Sequence, residues 1–471
     1  MNQPRIIQGG MGIGVSDWRL ARAVALSGQM GVVSGTALTH VLVRRLQDGD
    51  SGGHMRRALA SFPVQEISER VLARYYIPGG KAQDAPYKNP PMFTLKPARE
   101  LEELTVLANF AEVFLAKEGH EGLVGINYLE KVQLPTLASL FGALLAGVDY
   151  VLVGAGIPRQ IPGVIDALIR GEDVSLKVHV DGAARGEEHE IHFSARRLLG
   201  DQVSALSRPK FLAIISSATL AKSLARATPP PDGFVVEAPE AGGHNAPPRG
   251  ALELSELGEP VYGERDAIDL EAIAALGLPF WLAGSVASPK GLADALAAGA
   301  CGIQVGTAFA FCHESGFTPK LKQRAVAFAR KPDTRVRTDA KASPTGFPFK
   351  LMDLEGTLAR QELYAARRRP ACDVGLLRAP YRALDGSVGY RCPAEDEAAY
   401  VKKGGEPDAC EGRMCLCNGL LASIGQPQVR SEGCVEPAIV TSGNDLSCVR
   451  ALTSDAGHDY SAADVVAYLL G

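Results

Sequence analysis

The chain has 471 residues, 46% of them hydrophobic and 22% charged, which excludes a disordered or fibrous protein. Its 49 lysines and arginines nearly balance 53 acidic residues, so nothing in the charge favours a nucleic-acid partner, and we expect a small-molecule substrate. No run reaches the roughly 18 apolar residues of a membrane span, and no signal peptide is recognisable. We therefore expect a cytoplasmic protein without a membrane partner.

Nine short apolar runs are bounded by turn residues, a pattern typical of strands that are buried on both faces. Ala/Leu-rich stretches with helical spacing separate these runs, as at residues 16–28 and 289–299, so the sequence predicts an α/β fold. The nine runs cover residues 5–8, 31–34, 123–127, 150–153, 175–180, 211–215, 234–237, 280–283 and 302–305.

The number and spacing of these runs suit a (β/α)8 TIM barrel over residues 1–320, and a doubly wound sheet fits almost as well. Residues 50–100 form a long polar insertion, which we interpret as a lid over the barrel mouth. Residues 321–471 are predicted to form a helical, Cys-rich C-terminal extension. Pro344, Gly346 and Pro348 mark a linker within it.

Glycines follow the first predicted strand in the stretch Gln8-Gly9-Gly10-Met11-Gly12. Backbone without side chains at a strand end allows close approach of a flat ring or a phosphate, because glycine leaves its amide uncovered. A turn that only needs positive φ explains the pattern equally well.

Small residues also follow the last two predicted strands, Gly284 and Ser285 after one, Gly306 and Thr307 after the other. Loops at these positions of a (β/α)8 barrel commonly bind phosphate through backbone amides. We therefore predict a phosphate site here, with close strand–helix packing as the alternative.

Three polar side chains are further candidates. His244 follows Gly242 and Gly243 after a strand, and histidine suits proton transfer near neutral pH, although a solvated loop histidine is the alternative. Asn127 and Lys177 lie in apolar runs. A buried lysine is costly, so we expect the Lys177 ammonium to meet a cofactor oxygen at the barrel mouth unless it reaches solvent instead. His179 is interpreted as a core histidine.

Seven of the nine cysteines lie after residue 370, which indicates a separate C-terminal module. Close thiolates can bind zinc or an iron–sulfur cluster. The spacing of Cys392, Cys410, Cys415 and Cys417 matches no familiar ligand pattern, so we expect reduced cysteines and no metal, with a metal site as the open alternative. A reducing cytoplasm disfavours disulfides.

Several of these motifs occur together in an order that resembles the nitronate monooxygenase family, formerly called 2-nitropropane dioxygenase. Its relatives include FMN-dependent enoyl-acyl-carrier-protein reductases and the enoyl reductase components of polyunsaturated fatty acid and polyketide synthases. The resemblance covers roughly residues 5–316. It depends on Gln8-Gly9-Gly10-Met11-Gly12, Glu240-Ala241-Gly242-Gly243-His244, Ala283-Gly284-Ser285, the stretch from Gly299 to Phe309, and Glu314-Ser315.

The resemblance implies a (β/α)8 barrel with FMN across the strand ends and His244 as the acid/base. It implies that the cofactor contacts Gly10, Met11, Gly12, Asn127, Lys177, Gly243, Gly284, Ser285, Gly306 and Thr307. The chain departs from the family pattern at Gly9-Gly10, where Ala-Pro is common, and at Glu237-Ala238, where Gln-Gly is common.

Three functions are compatible with this pattern. The first is oxidation of an alkyl nitronate with dioxygen by non-covalently bound FMN. The second is reduction of an enoyl thioester, carried by an acyl carrier protein, with NAD(P)H and FMN. The third is a scaffold subunit that docks to a larger synthase through the Cys-rich tail, since a fold does not fix a function.

Overall fold

A computed structural model describes residues 3–200, 206–332, 334–367, 372–430, 433–454 and 459–471. Its strands are β1 (Ile6–Gln8), β2 (Gly31–Ser34), β3 (Val124–Leu129), β4 (Tyr150–Gly154), β5 (Val174–Val178), β6 (His189–Phe193), β7 (Lys210–Ile215), β8 (Gly233–Glu237), β9 (Phe280–Ala283), β10 (Gly302–Val305), β11 (Val336–Asp339), β12 (Phe349–Met352), β13 (Ala379–Arg382) and β14 (Val388–Arg391).

Eight of these strands form one parallel sheet in the order β1-β10-β9-β8-β7-β4-β3-β2. The sheet closes on itself because the Gln8 amide donates to the Met30 carbonyl at 2.9 Å and the Met30 amide donates to the Ile6 carbonyl at 3.1 Å. The predicted (β/α)8 TIM barrel is therefore confirmed, and the doubly wound alternative is excluded because an open sheet has two free edges.

The strands are apolar on both faces because each face packs against a different layer. The barrel interior is filled by side chains such as Ile7, Leu152, Val235 and Trp281, and the outer faces pack against the surrounding helices. The Trp281 indole N–H donates to the Pro4 carbonyl at 2.8 Å, which satisfies its one donor inside the barrel.

Eighteen α-helices are present in the described part of the chain. They are α1 (Trp18–Leu26), α2 (Leu38–Gln47), α3 (His54–Ala60), α4 (Gln65–Tyr75), α5 (Arg99–Lys117), α6 (Thr136–Leu145), α7 (Ile161–Ile169), α8 (Ala195–Leu199), α9 (Ala218–Ala225), α10 (Leu270–Ala274), α11 (Pro289–Ala297), α12 (Thr307–Ala310), α13 (Pro319–Arg330), α14 (Gln361–Ala366), α15 (Glu397–Lys402), α16 (Leu416–Ser423), α17 (Ser447–Leu452) and α18 (Ala462–Leu470).

The two helices predicted at residues 16–28 and 289–299 are confirmed as α1 and α11. Each begins after a polar capping residue. The Asp17 carboxylate accepts the Arg19 and Leu20 amides of α1, and the Ser288 hydroxyl accepts the Gly291 amide of α11.

One of the nine predicted strands, residues 175–180, does not join the barrel. β5 pairs antiparallel with β6 in a separate two-stranded sheet, and its residues alternate between buried and exposed. A strand with one solvated face alternates polar and apolar residues, whereas a buried parallel strand does not. The interpretation of residues 175–180 as a barrel strand was therefore wrong.

The insertion packs beside the barrel and also bonds to the C-terminal extension. Helices α3 and α4 contact α5 on the outside of the barrel. The Tyr87 amide donates to the Gln428 side chain at 2.8 Å, and the Leu95 amide donates to the Tyr390 hydroxyl at 2.7 Å. The insertion therefore fixes the position of the extension.

The extension returns to the barrel at its end. Helix α18 packs against α1 and α11, and its residues Val465 and Leu469 are fully buried in the core shared with the barrel. The predicted linker residues Pro344, Gly346 and Pro348 form the loop between β11 and β12. The end of the extension therefore completes the outer layer of the barrel.

The nine cysteines, all of which the structure describes, are free thiols. Burial raises the pKa of Cys415 to about 12. Among the described residues, no three or more histidine, cysteine or acidic side chains are grouped as a metal ion would require. In the same part of the chain, no helix combines the length and apolar character needed to cross a membrane.

Candidate ligand cavity at the carboxyl end of the barrel

A cavity of about 220 Å3, referred to here as the ligand cavity, lies at the carboxyl end of the barrel. Every barrel strand contributes a residue at or next to its carboxyl end. These residues are Gly9, Ser34, Leu129, Gly154, Ile214, Glu237, Ala283 and Val305. Active sites of (β/α)8 barrels lie at this end, because the loops from all eight strands meet there.

Ten of the eleven site residues predicted from the sequence line this cavity. They are Gly10, Met11, Gly12, Asn127, Gly243, His244, Gly284, Ser285, Gly306 and Thr307. They are far apart in the chain, and closure of the barrel brings them together.

Lys177 is the exception. It lies on β5, outside the barrel, and its ammonium donates to Glu188 at 2.6 Å with both side chains more than half exposed. The predicted contact between Lys177 and a cofactor at the barrel mouth was therefore wrong. His179 follows the same strand and is also exposed, hydrogen-bonded to Asp181, so the core interpretation was wrong as well.

The first glycine loop needs glycine at position 10. A Cβ atom on Gly10 would lie 2.4 Å from the Cβ of Asn127, which is too close for any side chain. Ser16 holds the loop in place, since its hydroxyl donates to the Gly9 carbonyl at 3.0 Å and accepts the Met11 amide at 2.9 Å. Gly12 has a φ of +57°, so the turn considered from the sequence is present, and the close approach of a ring or phosphate stays a prediction.

Two buried amide oxygens that line the cavity have no protein partner. They are Oδ1 of Asn127 on β3 and Oε1 of Gln304 on β10. A buried polar atom without a hydrogen bond is destabilising, so these atoms indicate a ligand that donates to them. Gln304 was missed from the sequence, where its only signal is a lone polar residue in an apolar strand.

The loops after β9 and β10 form a second glycine-rich corner of the cavity. Gly284 has a φ of +100°, and a Cβ there would lie only 3.0 Å from that of Ala238. Ser285 also has a positive φ, +52°, which is strained for a residue with a side chain. Strain of this kind persists at ligand sites, where the surrounding structure enforces it.

Thr307 has a partner in the C-terminal extension. Its hydroxyl oxygen accepts the Gly443 amide at 2.8 Å, so its own proton stays free to donate. The Gly243 amide donates to the Thr441 hydroxyl at 3.0 Å.

The C-terminal extension, and not the 50–100 insertion, borders the ligand cavity. Thr441 and Gly443 line it, whereas no residue of the insertion does. The extension therefore forms this wall of the cavity.

His244 is held by two residues of the extension. Its Nε2 atom lies 2.7 Å from the Ser343 hydroxyl, and its ring packs edge-on against Phe349 with centroids 4.9 Å apart. Burial lowers the pKa of His244 to about 4, so the ring is neutral at pH 7. A neutral imidazole can accept a proton or a hydrogen bond, but it is a poor acid at that pH.

Glu237 and Lys350 are charged groups that sequence analysis did not assign to the site. Glu237 ends β8 and lines the cavity. Burial, opposed by Lys350, raises the pKa of Glu237 to about 8. Lys350 on β12 is buried, which lowers its pKa to about 8 against the attraction of Glu240 and Glu237. The sequence signal for Glu237 was an acidic residue that ends an apolar strand.

The fold and the cavity define a (β/α)8 barrel with a ligand site built from strand ends and glycine-rich loops. Within this class, residues 172–345 match the family model described as nitronate monooxygenase. This match confirms the resemblance to the nitronate monooxygenase family inferred from the motifs.

Curated relatives point to the same family. A probable nitronate monooxygenase from Bacillus subtilis is 39% identical over 107 residues, which is 23% of this chain and 29% of the relative. One from Staphylococcus haemolyticus is 31% identical over 135 residues, 28% of this chain and 36% of the relative. The matched region thus spans about a third of the length of these curated relatives.

Solved structures with similarity to this chain include FabK from Thermotoga maritima, with 16% identity and a TM-score of 0.46 over 100% of this chain and 92% of FabK. A nitroalkane oxidase from Streptomyces ansochromogenes has 16% identity and a TM-score of 0.45, over 99% of this chain and 94% of the oxidase.

Proposed function

We propose that this chain is an FMN-dependent oxidoreductase of the nitronate monooxygenase type that oxidises alkyl nitronates with dioxygen. The observation that carries the proposal is the ligand cavity, in which two glycine-rich corners lie at strand ends together with two unpartnered amide oxygens. The family match at residues 172–345 supports it.

The residues present fit a flavin mononucleotide. A flat ring with N–H donors would satisfy the amide oxygens of Asn127 and Gln304, which have no protein partner. The corner at Gly284, Ser285, Gly306 and Thr307 offers backbone amides and a hydroxyl suited to a phosphate. Gly10, Met11 and Gly12 would border the ring, with Gly243 on the opposite loop. When bound, FMN supplies the electron transfer that protein side chains cannot perform.

His244 would act on the substrate as a hydrogen-bond partner or a base. Because its pKa is lowered to about 4 by burial, the neutral ring can accept a hydrogen bond from the substrate or take up its proton. Ser343 and Phe349 fix the ring orientation, which reduces the entropy lost on substrate binding.

Spectroscopy of the purified protein tests the proposal. We expect a flavin absorption spectrum and release of FMN, identified by mass spectrometry, on denaturation. Anaerobic mixing with propyl nitronate is expected to bleach the flavin within turnover time. A protein that neither contains nor takes up FMN would refute the proposal.

A second candidate is a reductase of enoyl thioesters, on a carrier protein, that uses NAD(P)H and FMN. The carboxylates Glu240 and Asp445 line the cavity, and none of its described lining residues is a lysine or arginine. Such a lining suits a neutral substrate better than an anionic nitronate. A smaller, mostly apolar cavity of about 30 Å3 adjoins the ligand cavity at Thr36 and Leu129, and it offers space for part of an acyl chain.

In the same anaerobic experiment, bleaching of the flavin by NADPH but not by nitronate would favour this candidate.

A further inference from the structure

A small outer cavity of about 20 Å3 adjoins Glu237. It is lined by polar groups from three segments, including Ser216, Arg249, Tyr262 and Asp266. Among the described residues, Glu237 alone lines both cavities. The outer cavity is large enough for a water molecule, because about 10–15 Å3 of accessible space suffices. Glu237 therefore borders both the ligand cavity and the outer cavity.

We propose that Glu237 relays protons between the outer cavity and a substrate bound in the ligand cavity. This role rests on the function proposed above, because both candidate reactions involve protons as well as electrons. The proposal assigns a proton-transfer role to Glu237, whereas the sequence motifs indicated an acid/base role for His244 only.

The Glu237 carboxyl is free to take part in proton transfer. Among the described residues, none forms a hydrogen bond or ion pair with it, whereas His244 is hydrogen-bonded to Ser343. Burial raises the pKa of Glu237 to about 8, so the neutral carboxyl predominates at pH 7 and the ionised form is accessible slightly above it. A group that populates both states near the working pH is suited to acid–base work.

The charged groups around Glu237 leave its carboxyl able to change between the neutral and the ionised form. Lys350, on β12, lowers the pKa of Glu237, but less than burial raises it. The Lys350 ammonium is occupied by a hydrogen bond to the Thr338 hydroxyl at 2.7 Å. Glu240 follows in the same loop and attracts Lys350 as well.

On the side of the outer cavity, the charged groups have main-chain partners. The Arg249 guanidinium donates to the Ser216 carbonyl at 3.0 Å, and Asp266 accepts the Arg249 amide at 2.8 Å. Tyr262 donates to the Ala246 carbonyl at 2.9 Å, and burial together with Asp266, Glu240 and Glu237 raises its pKa to about 12. Tyr262 therefore keeps its proton at neutral pH.

His244 and Glu237 are pushed to opposite protonation states, a difference that assigns acid and base roles. In the transfer step, the O–H bond of the neutral Glu237 carboxyl breaks and the proton bonds to the acceptor atom of the substrate. The carboxylate then takes a proton from water in the outer cavity, and bulk solvent replaces it. One proton moves from solvent to substrate, and no electron is exchanged with Glu237. The reverse sequence removes a proton.

The test compares Glu237→Gln with Glu240→Gln. Glu240 also lines the ligand cavity but not the outer cavity, which makes it a matched control. We expect Glu237→Gln to retain FMN, to lose about 100-fold or more in kcat, and to lose the limb of the pH–rate profile near pH 8. Glu237→Asp is expected to restore part of the rate together with that limb, and Glu240→Gln to keep the limb.

Infrared titration of the flavin-free protein gives a second readout. We expect a protonated carboxyl band that disappears as the pH rises through about 8, is absent from Glu237→Gln and is present in Glu240→Gln. A pH limb that persists in Glu237→Gln, or no carboxyl that titrates near pH 8 in the wild-type protein, would overturn the relay. Failure to bind FMN would instead refute the proposed function, and the infrared result would still decide the titration of Glu237.

Discussion

At the scale of single residues, the environment of His244 limits what it can do. The ring is hydrogen-bonded to Ser343 and packed against Phe349, and burial lowers its pKa to about 4. Desolvation disfavours the charged form of a histidine, so the ring stays neutral above that pH. His244 is therefore neutral over the whole neutral range, where it can accept a hydrogen bond but is only a weak base.

For the variant His244→Ala, we expect retention of FMN and a loss of turnover of about 100-fold or more, as for a positioned acid or base. In the wild-type protein, activity is expected to fall as the pH decreases through about 4, because the ring then becomes charged. Steady-state kinetics from about pH 3 to 7, with the flavin spectrum recorded for each variant, checks both results.

Ser343→Ala is the matched control for His244→Ala, since it removes the hydrogen bond to the ring but keeps the ring itself. We expect a smaller loss of turnover from Ser343→Ala than from His244→Ala. Unchanged turnover in His244→Ala would show that His244 has no part in the reaction.

At the scale of elements, the loops after β9 and β10 must stay free of large side chains. A Cβ atom on Gly306 would lie 3.4 Å from the Met11 sulfur, and Gly306 has a φ of −106°, which other residues adopt. A larger side chain would therefore fill the cavity without straining the backbone. A substitution at position 306 can therefore change cofactor binding without changing the stability of the fold.

Gly306→Val is expected to reduce FMN occupancy strongly while the thermal unfolding temperature of the flavin-free protein changes little. The reason is that the valine methyl groups occupy space beside Met11 in the proposed phosphate corner. The ratio of flavin to protein absorbance after gel filtration measures occupancy, and circular dichroism measures unfolding.

Gly263→Val serves as the control for Gly306→Val, because Gly263 has open space around it and also a negative φ. Full flavin occupancy in Gly306→Val would contradict the placement of the phosphate at this corner. Equal flavin loss in both variants would mean that valine acts through general stability.

At the scale of the whole molecule, the barrel and the end of the extension share one hydrophobic core. Leu469 on α18 is fully buried in that core, whereas its neighbour Leu470 is 43% exposed. The same extension supplies Thr441 and Gly443 to the wall of the ligand cavity. Packing of the extension and integrity of the cavity are therefore linked.

Leu469→Ala is expected to lower the free energy of unfolding by about 2–5 kcal/mol, because it leaves a cavity in the core. Leu470→Ala is expected to change it by less than about 0.5 kcal/mol, as for an exposed side chain. Urea unfolding followed by fluorescence measures both. If the two variants were equally stable, α18 would not belong to the core of the barrel.

The strands and the glycine-rich loops could be predicted from the sequence because their signals are local. An apolar run such as residues 302–305 indicates a buried strand by itself, and Gly284-Ser285 next to such a run indicates a corner at its end. The prediction failed for residues 175–180. A strand in a hairpin and a strand in a barrel differ in their partners, and partners lie elsewhere in the chain.

The sequence alone determined which residues can form buried parallel strands, where backbone is bare of side chains, and which family the motifs resemble. The tertiary structure decided which groups face the ligand cavity and in what protonation state. Ser343 lies 99 residues from His244, and Thr441 lies 198 residues from Gly243, so no local pattern pairs them. Likewise, the raised pKa of Glu237 depends on desolvation, which exists only once the chain has packed around that carboxyl.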